Sequence, residues 1–116
     1  MNPETKIQNL ILIKLSEAGC LVFRNETGAG WVGRMLHREA GQVTLTNASM
    51  VKFGLAVGSA DIIGVAPCGR FLAIEIKTSK GRATKEQIRF IEAVNNAGGI
   101  AGVCRSVDEA LLLIRD

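Results

Sequence analysis

Between residues 60 and 78, two strongly apolar runs, ADIIGVA and RFLAIEIKT, are separated only by Pro67, Cys68 and Gly69. Pro and Gly at so short a junction predict a tight antiparallel hairpin with strands over residues 60–66 and 70–78. Closed symmetrically about Cys68, such a hairpin pairs residues of constant index sum. Ala66 then faces Arg70, Gly64 faces Leu72, and Asp61 faces Glu75. Opposed residues bring their Cβ atoms to about 4.5–5.5 Å. Side chains alternate along a strand, so Glu75, Lys77 and Asp61 share one face. Two carboxylates and an ammonium group thus converge at the open end of an otherwise apolar hairpin.

The remaining pattern is helix, irregular β-rich middle, the hairpin, helix, strand, helix. Asn2 is placed to cap the first helix, with Pro3 at its first position, where a missing N–H is harmless. Ile7, Leu10, Ile11, Leu15 and Ala18 recur at helical spacing, and Gly19 ends the run. Residues 20–23 read as a buried strand that emerges at Arg24 and Asn25. Residues 26–58, with glycine-rich GAGWVGR and alternating QVTLT, predict short strands and a mobile loop. Thr84 with Gln87 has the form of a capping box opening a helix whose core stripe is Ile88, Ile91 and Val94. Gly98 and Gly99 stop it. A buried strand follows over residues 100–104, and Ser106 with Glu109 opens a last helix. This order calls for an α/β fold with a central mixed sheet flanked by helices.

A chain of 116 residues fits one domain, and a hydrophobic share of 47% supplies one continuous core without disulfides. Cys20, Cys68 and Cys104 are odd in number, widely spaced and without metal-ligand spacing, which suits a reducing cytoplasm. The start MNPETKIQ lacks a signal-peptide pattern, and no run approaches membrane-span length. The net charge of +3 points only weakly to polyanions. Its distribution says more: Lys77, Lys80, Arg82, Lys85 and Arg89 crowd one stretch against a single acid, Glu86. From charge alone, a solvated face is the preferred reading of that stretch.

Two carboxylates this close raise the pKa of one of them, and partial burial raises it further. A divalent cation relieves the conflict. Magnesium takes oxygen ligands, commonly one or two carboxylates with waters and substrate phosphate. The Ile76 carbonyl, between Glu75 and Lys77, is a further candidate ligand. Such an ion polarises a phosphate and acidifies a bound water, while Lys77 would orient that water and offset negative charge. An E-x-K triplet alone is weak evidence, and a purely structural ion pair of Lys77 with Glu75 or Asp61 stays open. The aligned Asp61, within runs as apolar as DIIGVA and FLAIEIK, strengthens the metal reading.

GSAD at 58–61, IEIK at 74–77 and TKEQ at 84–87 together resemble the VRR-Nuc family, the virus-type replication-repair nucleases of the PD-(D/E)XK superfamily. ETKIQ at 4–8, LVFRNETGAG at 21–30 and GGIAGVCRSVDEA at 98–110 extend the resemblance over nearly the whole chain, residues 31–57 matching only loosely. Ala60 stands where the superfamily has Pro. The resemblance implies a restriction-endonuclease-like core forming one nuclease domain over residues 1–116. It implies Mg²⁺, with Mn²⁺ as substitute, held by Asp61, Glu75 and the Ile76 carbonyl, with Lys77 catalytic. It also places Glu4 near the metal or its waters and Gln87 beside the site. Gln8, four residues after Glu4, is placed to support it. Favouring the helix dipole would account for Glu4 as well, and capping for Gln87.

Arg24, Asn25, Lys80, Arg82, Lys85 and Arg89 are candidate DNA contacts. Trp31 suits either base stacking or the core, and His37 a surface or DNA-proximal position. A domain this small has no separate sequence reader, so recognition of DNA shape is expected. The resemblance further implies a structure-specific endonuclease of branched DNA in the cytoplasm of a phage or bacterial host. A homodimer resolving four-way junctions would present two sites to opposed strands, with residues 31–57 in its interface. A monomeric flap or nicking nuclease and a non-catalytic DNA-binding module are the competing readings.

Overall fold

The computed structural model describes residues 2–115, which fall into two compact units, one of residues 2–25 with 56–115 and the other Glu26–Leu55. Chain order is α1 (Pro3–Glu17), β1 (Leu21–Arg24), β2 (Gly28–Glu39), β3 (Gln42–Phe53), β4 (Ile62–Val65), β5 (Phe71–Ile76), α2 (Lys85–Asn96), β6 (Ile100–Cys104) and α3 (Val107–Leu113).

In the larger unit the strands form one mixed sheet of order β1-β4-β5-β6, antiparallel except for the parallel pair β5–β6. The turn fixes the register. Gly69, at φ +90°, donates to the Ala66 carbonyl, and the Ala66 N–H donates to Arg70. Pairing then runs Val65 with Phe71, Gly64 with Leu72, Ile63 with Ala73 and Ile62 with Ile74. That is the constant index sum expected from the sequence; the ladder ends at Ile62 with Ile74, and Asp61 lies just before β4. Gly64 has a reason of its own to lack a side chain: a Cβ there would meet the Leu21 carbonyl oxygen at 1.9 Å.

β5 is buried on both faces and its alternation sorts the core. Leu72, Ile74 and Ile76 join Ile11, Leu15, Ile62 and Cys104 in the main cluster, closed by partly buried residues of α1 and α3. On the opposite face Ala73, with Ala60 and Ala101, receives Phe90, Ile91 and Val94 of α2. Alanines at these three points let the helix approach the sheet, and Glu75 lies on that same face.

The caps form as the sequence predicts. Asn2 Oδ1 accepts from Thr5 N–H at 2.7 Å, and Thr84 with Gln87 makes both halves of a capping box. At α3, Ser106 Oγ accepts from Glu109 N–H, but Glu109 Oε1 takes the N–H of Arg105 rather than of Ser106. Two expected core stripes shift. Leu10 and Ile88 are exposed, because Ile11 and Leu15 carry α1 and the burying face of α2 runs through Phe90, Ile91 and Val94.

The middle segment departs most from expectation. Instead of short strands and a mobile loop, β2 and β3 are twelve-residue partners in a long antiparallel ribbon, shifted in register between Val32 and Arg34 and between Met35 and His37. Those irregularities break the period-two pattern by which a strand is recognised. Trp31, a candidate for core or for stacking, is 64% exposed, and His37 Nε2 lies 2.9 Å from Glu39 Oε1 on the ribbon surface. No helix among the described residues is long and apolar enough to cross a membrane.

Candidate active site

The open end of the β4–β5 hairpin gathers Asp61, Glu75, Lys77 and Gln87. Glu75 is 2% exposed. Its Oε2 accepts from Gln87 Nε2 at 2.7 Å and lies 3.3 Å from Lys77 Nζ. Its other oxygen, Oε1, is buried and accepts no hydrogen bond among the described residues. Asp61 Oδ2 accepts from the Ile76 N–H at 2.8 Å, which ties the first carboxylate to the strand that carries the second.

Burial, and then the negative charge of Asp61, push the Glu75 carboxyl up to about 7, against the opposing pull of Lys77. A carboxyl so poised, with one unpartnered buried oxygen beside a second carboxylate, is the hard-oxygen donor set that a divalent cation satisfies. The residues present therefore fit such an ion, through Asp61, Glu75 and the Ile76 main chain.

Several elements hold Asp61 in place. Gly58, at φ +84°, turns the chain where a Cβ would strike the Glu86 backbone at 2.6 Å. Asn25 Nδ2 donates to Ser59 Oγ at 2.7 Å and to the Ala60 carbonyl at 2.9 Å. The Asp61 carbonyl accepts from Asn25 N–H at 2.8 Å and from Gln8 Nε2 at 3.4 Å. Asn25, read from the sequence as a phosphate contact, thus spends its side-chain amide on the backbone that positions Asp61. Gln8 reaches Asp61 itself.

Gln87 resolves its two readings by serving both. Its Oε1 accepts from Thr84 N–H at 2.8 Å in the cap while its Nε2 holds Glu75, so the capping box orients the amide toward the site. Glu4 is exposed and lines a groove with Gln8 and Thr78. Among the described residues no three His, Cys, Asp or Glu side chains group as metal ligands. Arg24 ends β1 and pairs with Ile62, next to Asp61, and it is exposed. Lys80, Arg82, Lys85 and Arg89 are also exposed.

Nothing in the spacing marks Arg105, yet its Nη1 donates to the carbonyls of Thr78 and Gly81, in the loop directly after Lys77. Cys20 and Cys104 are buried, and burial pushes both thiols up, Cys104 to about 12. They act as small apolar groups, and Cys68 is exposed.

A mixed sheet flanked by helices, with this hairpin at its centre, is the core of a PD-(D/E)XK-type nuclease. The chain belongs to the VRR-NUC domain family, whose model matches residues 2–108. A solved structure titled "VRR_NUC domain" superposes with a TM-score of 0.61 at 17% identity, covering 98% of this chain and 96% of that one. At that identity the likeness speaks for the fold. No curated protein matches the chain.

Proposed function

We propose that the chain acts as one nuclease domain, a metal-dependent endodeoxyribonuclease that cuts branched DNA as a homodimer and prefers four-way junctions. The observation that carries the metal reading is the buried, unpartnered Oε1 of Glu75 beside Asp61 and Lys77. Mg²⁺, or Mn²⁺ in its place, would be held by Asp61, Glu75 and the Ile76 carbonyl. When bound, the ion supplies Lewis-acid charge at the scissile phosphate and a more acidic water.

The chain's own residues do the rest. Gln87 fixes one oxygen of Glu75 and leaves the other for the ion. Lys77 orients the attacking water and carries positive charge where the phosphate becomes more negative. Glu4 acts from its groove through water. Arg24, Lys80, Arg82, Lys85 and Arg89 bind phosphates along the approach to the site, a contribution that weakens with salt. Asn25, with its amide engaged, serves as a positioning group.

Dimerisation finds support in the β2–β3 ribbon, which exposes Trp31, Val32, Met35, Leu36, Val43 and Met50. A two-stranded ribbon is marginal alone, and apolar patches of this kind mark association surfaces. Buried free thiols accord with the reducing cytoplasm of a phage or bacterial host.

Synthetic four-way, flap and linear duplexes, incubated with Mg²⁺, Mn²⁺ or a chelator, test the proposal. Paired, symmetric cuts in the four-way junction are expected with metal, and none with chelator. Cleavage undiminished by chelator, or cutting of linear duplex as fast as of junctions, would contradict it.

A further inference from the structure

We propose that Arg105 is a positioning residue for Lys77, acting through the loop between β5 and α2. The inference rests on the reading of Lys77 as the catalytic amine. Arg105 stands just beyond β6, half-buried, at the carboxyl end of the strand parallel to β5. The ladder continues one residue past β5, since the Lys77 N–H donates to the Cys104 carbonyl at 3.1 Å. Backbone contact therefore already joins the residue before Arg105 to Lys77.

The side chain adds a second connection. One guanidinium nitrogen, Nη1, donates to the carbonyls of both Thr78 and Gly81. Those two residues close a turn on each other, the Gly81 N–H donating to Thr78 at 3.1 Å. The turn is laid against the stem of Lys77: a Cβ built on Gly81 would sit 3.4 Å from Lys77 Cδ and 3.6 Å from its Cβ. Arg105 thus clamps both ends of a turn whose glycine lies beside the Lys77 methylenes, about one methyl group away from them.

Arg105 is itself fixed by α3. Its backbone N–H donates to Glu109 Oε1 at 2.5 Å, within the first turn of that helix. The chain of contact runs from α3 to Arg105, to the turn at residues 78–81, and to the Lys77 amine. Carbonyl oxygens left without this donor would turn to water, and the turn would no longer hold the lysine stem. A displacement of about 1 Å at a catalytic group costs up to roughly 100-fold in rate.

The test compares wild type, Arg105→Gln and Arg105→Lys in junction cleavage, and follows amine labelling of Lys77 by mass spectrometry against the other lysines as internal references. Arg105→Gln is expected to lower kcat roughly 10- to 100-fold with KM for DNA little changed. Labelling of Lys77 should rise several-fold while the other lysines stay constant. Arg105→Lys, which returns one cationic donor, should recover part of both readouts and serves as the probe if the glutamine variant does not fold. A folded variant in which Lys77 labelling is unchanged overturns the inference, whatever its activity. The labelling readout needs no turnover, so it stands apart from the catalytic reading, which fails separately if wild type cuts no DNA.

Discussion

Glu75→Gln is expected to raise the melting temperature of the metal-free protein near pH 8 by roughly 5–10 °C while abolishing cleavage. The gain follows from linkage. Glu75 titrates near 4.5 in an unfolded chain and at about 7 in the fold, where burial and the Asp61 charge disfavour its ionised form. Below 4.5 both states hold the proton and nothing is lost. Between 4.5 and about 7 the unfolded chain releases its proton first, so each rise in pH favours unfolding. Above about 7 the loss is complete, and at about 1.4 kcal/mol per pKa unit it amounts to a few kcal/mol.

Glutamine removes the ionisation and keeps the shape. Its Oε1 can still accept from Gln87 Nε2, so the contact to α2 survives. Lys77 loses its partner, which trims the gain. Thermal melts from about pH 4 to 8 check the sign: the two proteins should converge at the acid end and separate as pH rises. Metal should reverse the order, since an ion bound only by the folded wild type stabilises it by mass action. Equal melting of variant and wild type across the range would remove the case for a strained carboxyl pair.

Lys77→Met is expected to lower kcat roughly 100- to 10,000-fold with DNA affinity little changed. Methionine retains a flexible apolar stem beside Gly81 and removes the ammonium alone. Loss of that charge takes away a counter-charge at the site and the donor that orients the attacking water. It also removes both influences holding the Glu75 pKa down, the charge of Nζ and its hydrogen bond. Single-turnover cleavage with saturating metal and junction measures the chemical step. A rate within about threefold of wild type would assign Lys77 to structure instead.

Why the hairpin site could be read from the sequence is local and geometric. Pro67 and Gly69 fix the turn, the turn fixes the register as far as Ile62 and Ile74, and Asp61 and Lys77, just beyond the strands, bring their charges to Glu75. Caps at Asn2, Thr84 and Ser106 are equally local, each closing over three residues. What stayed hidden depends on distance along the chain. Asn25 reaches Ser59 across 34 positions, and Arg105 reaches Thr78 across 27. An asparagine or arginine that satisfies main-chain carbonyls leaves no periodic mark, so neither role is legible. The β2–β3 ribbon is hidden for another reason: its register shifts and glycines erase the alternation that marks strands. At Gln87 the local signal is incomplete, because one amide end makes the cap and the other reaches Glu75.

Calorimetric titration of Mn²⁺ into the metal-free protein, with Asp61→Ala in parallel and its fold checked by circular dichroism, tests the account most directly. Saturable binding by wild type, lost in the folded variant, is the expected result. Identical heats from both proteins, or no binding by wild type at millimolar metal, would contradict the claim that these carboxylates share a divalent ion.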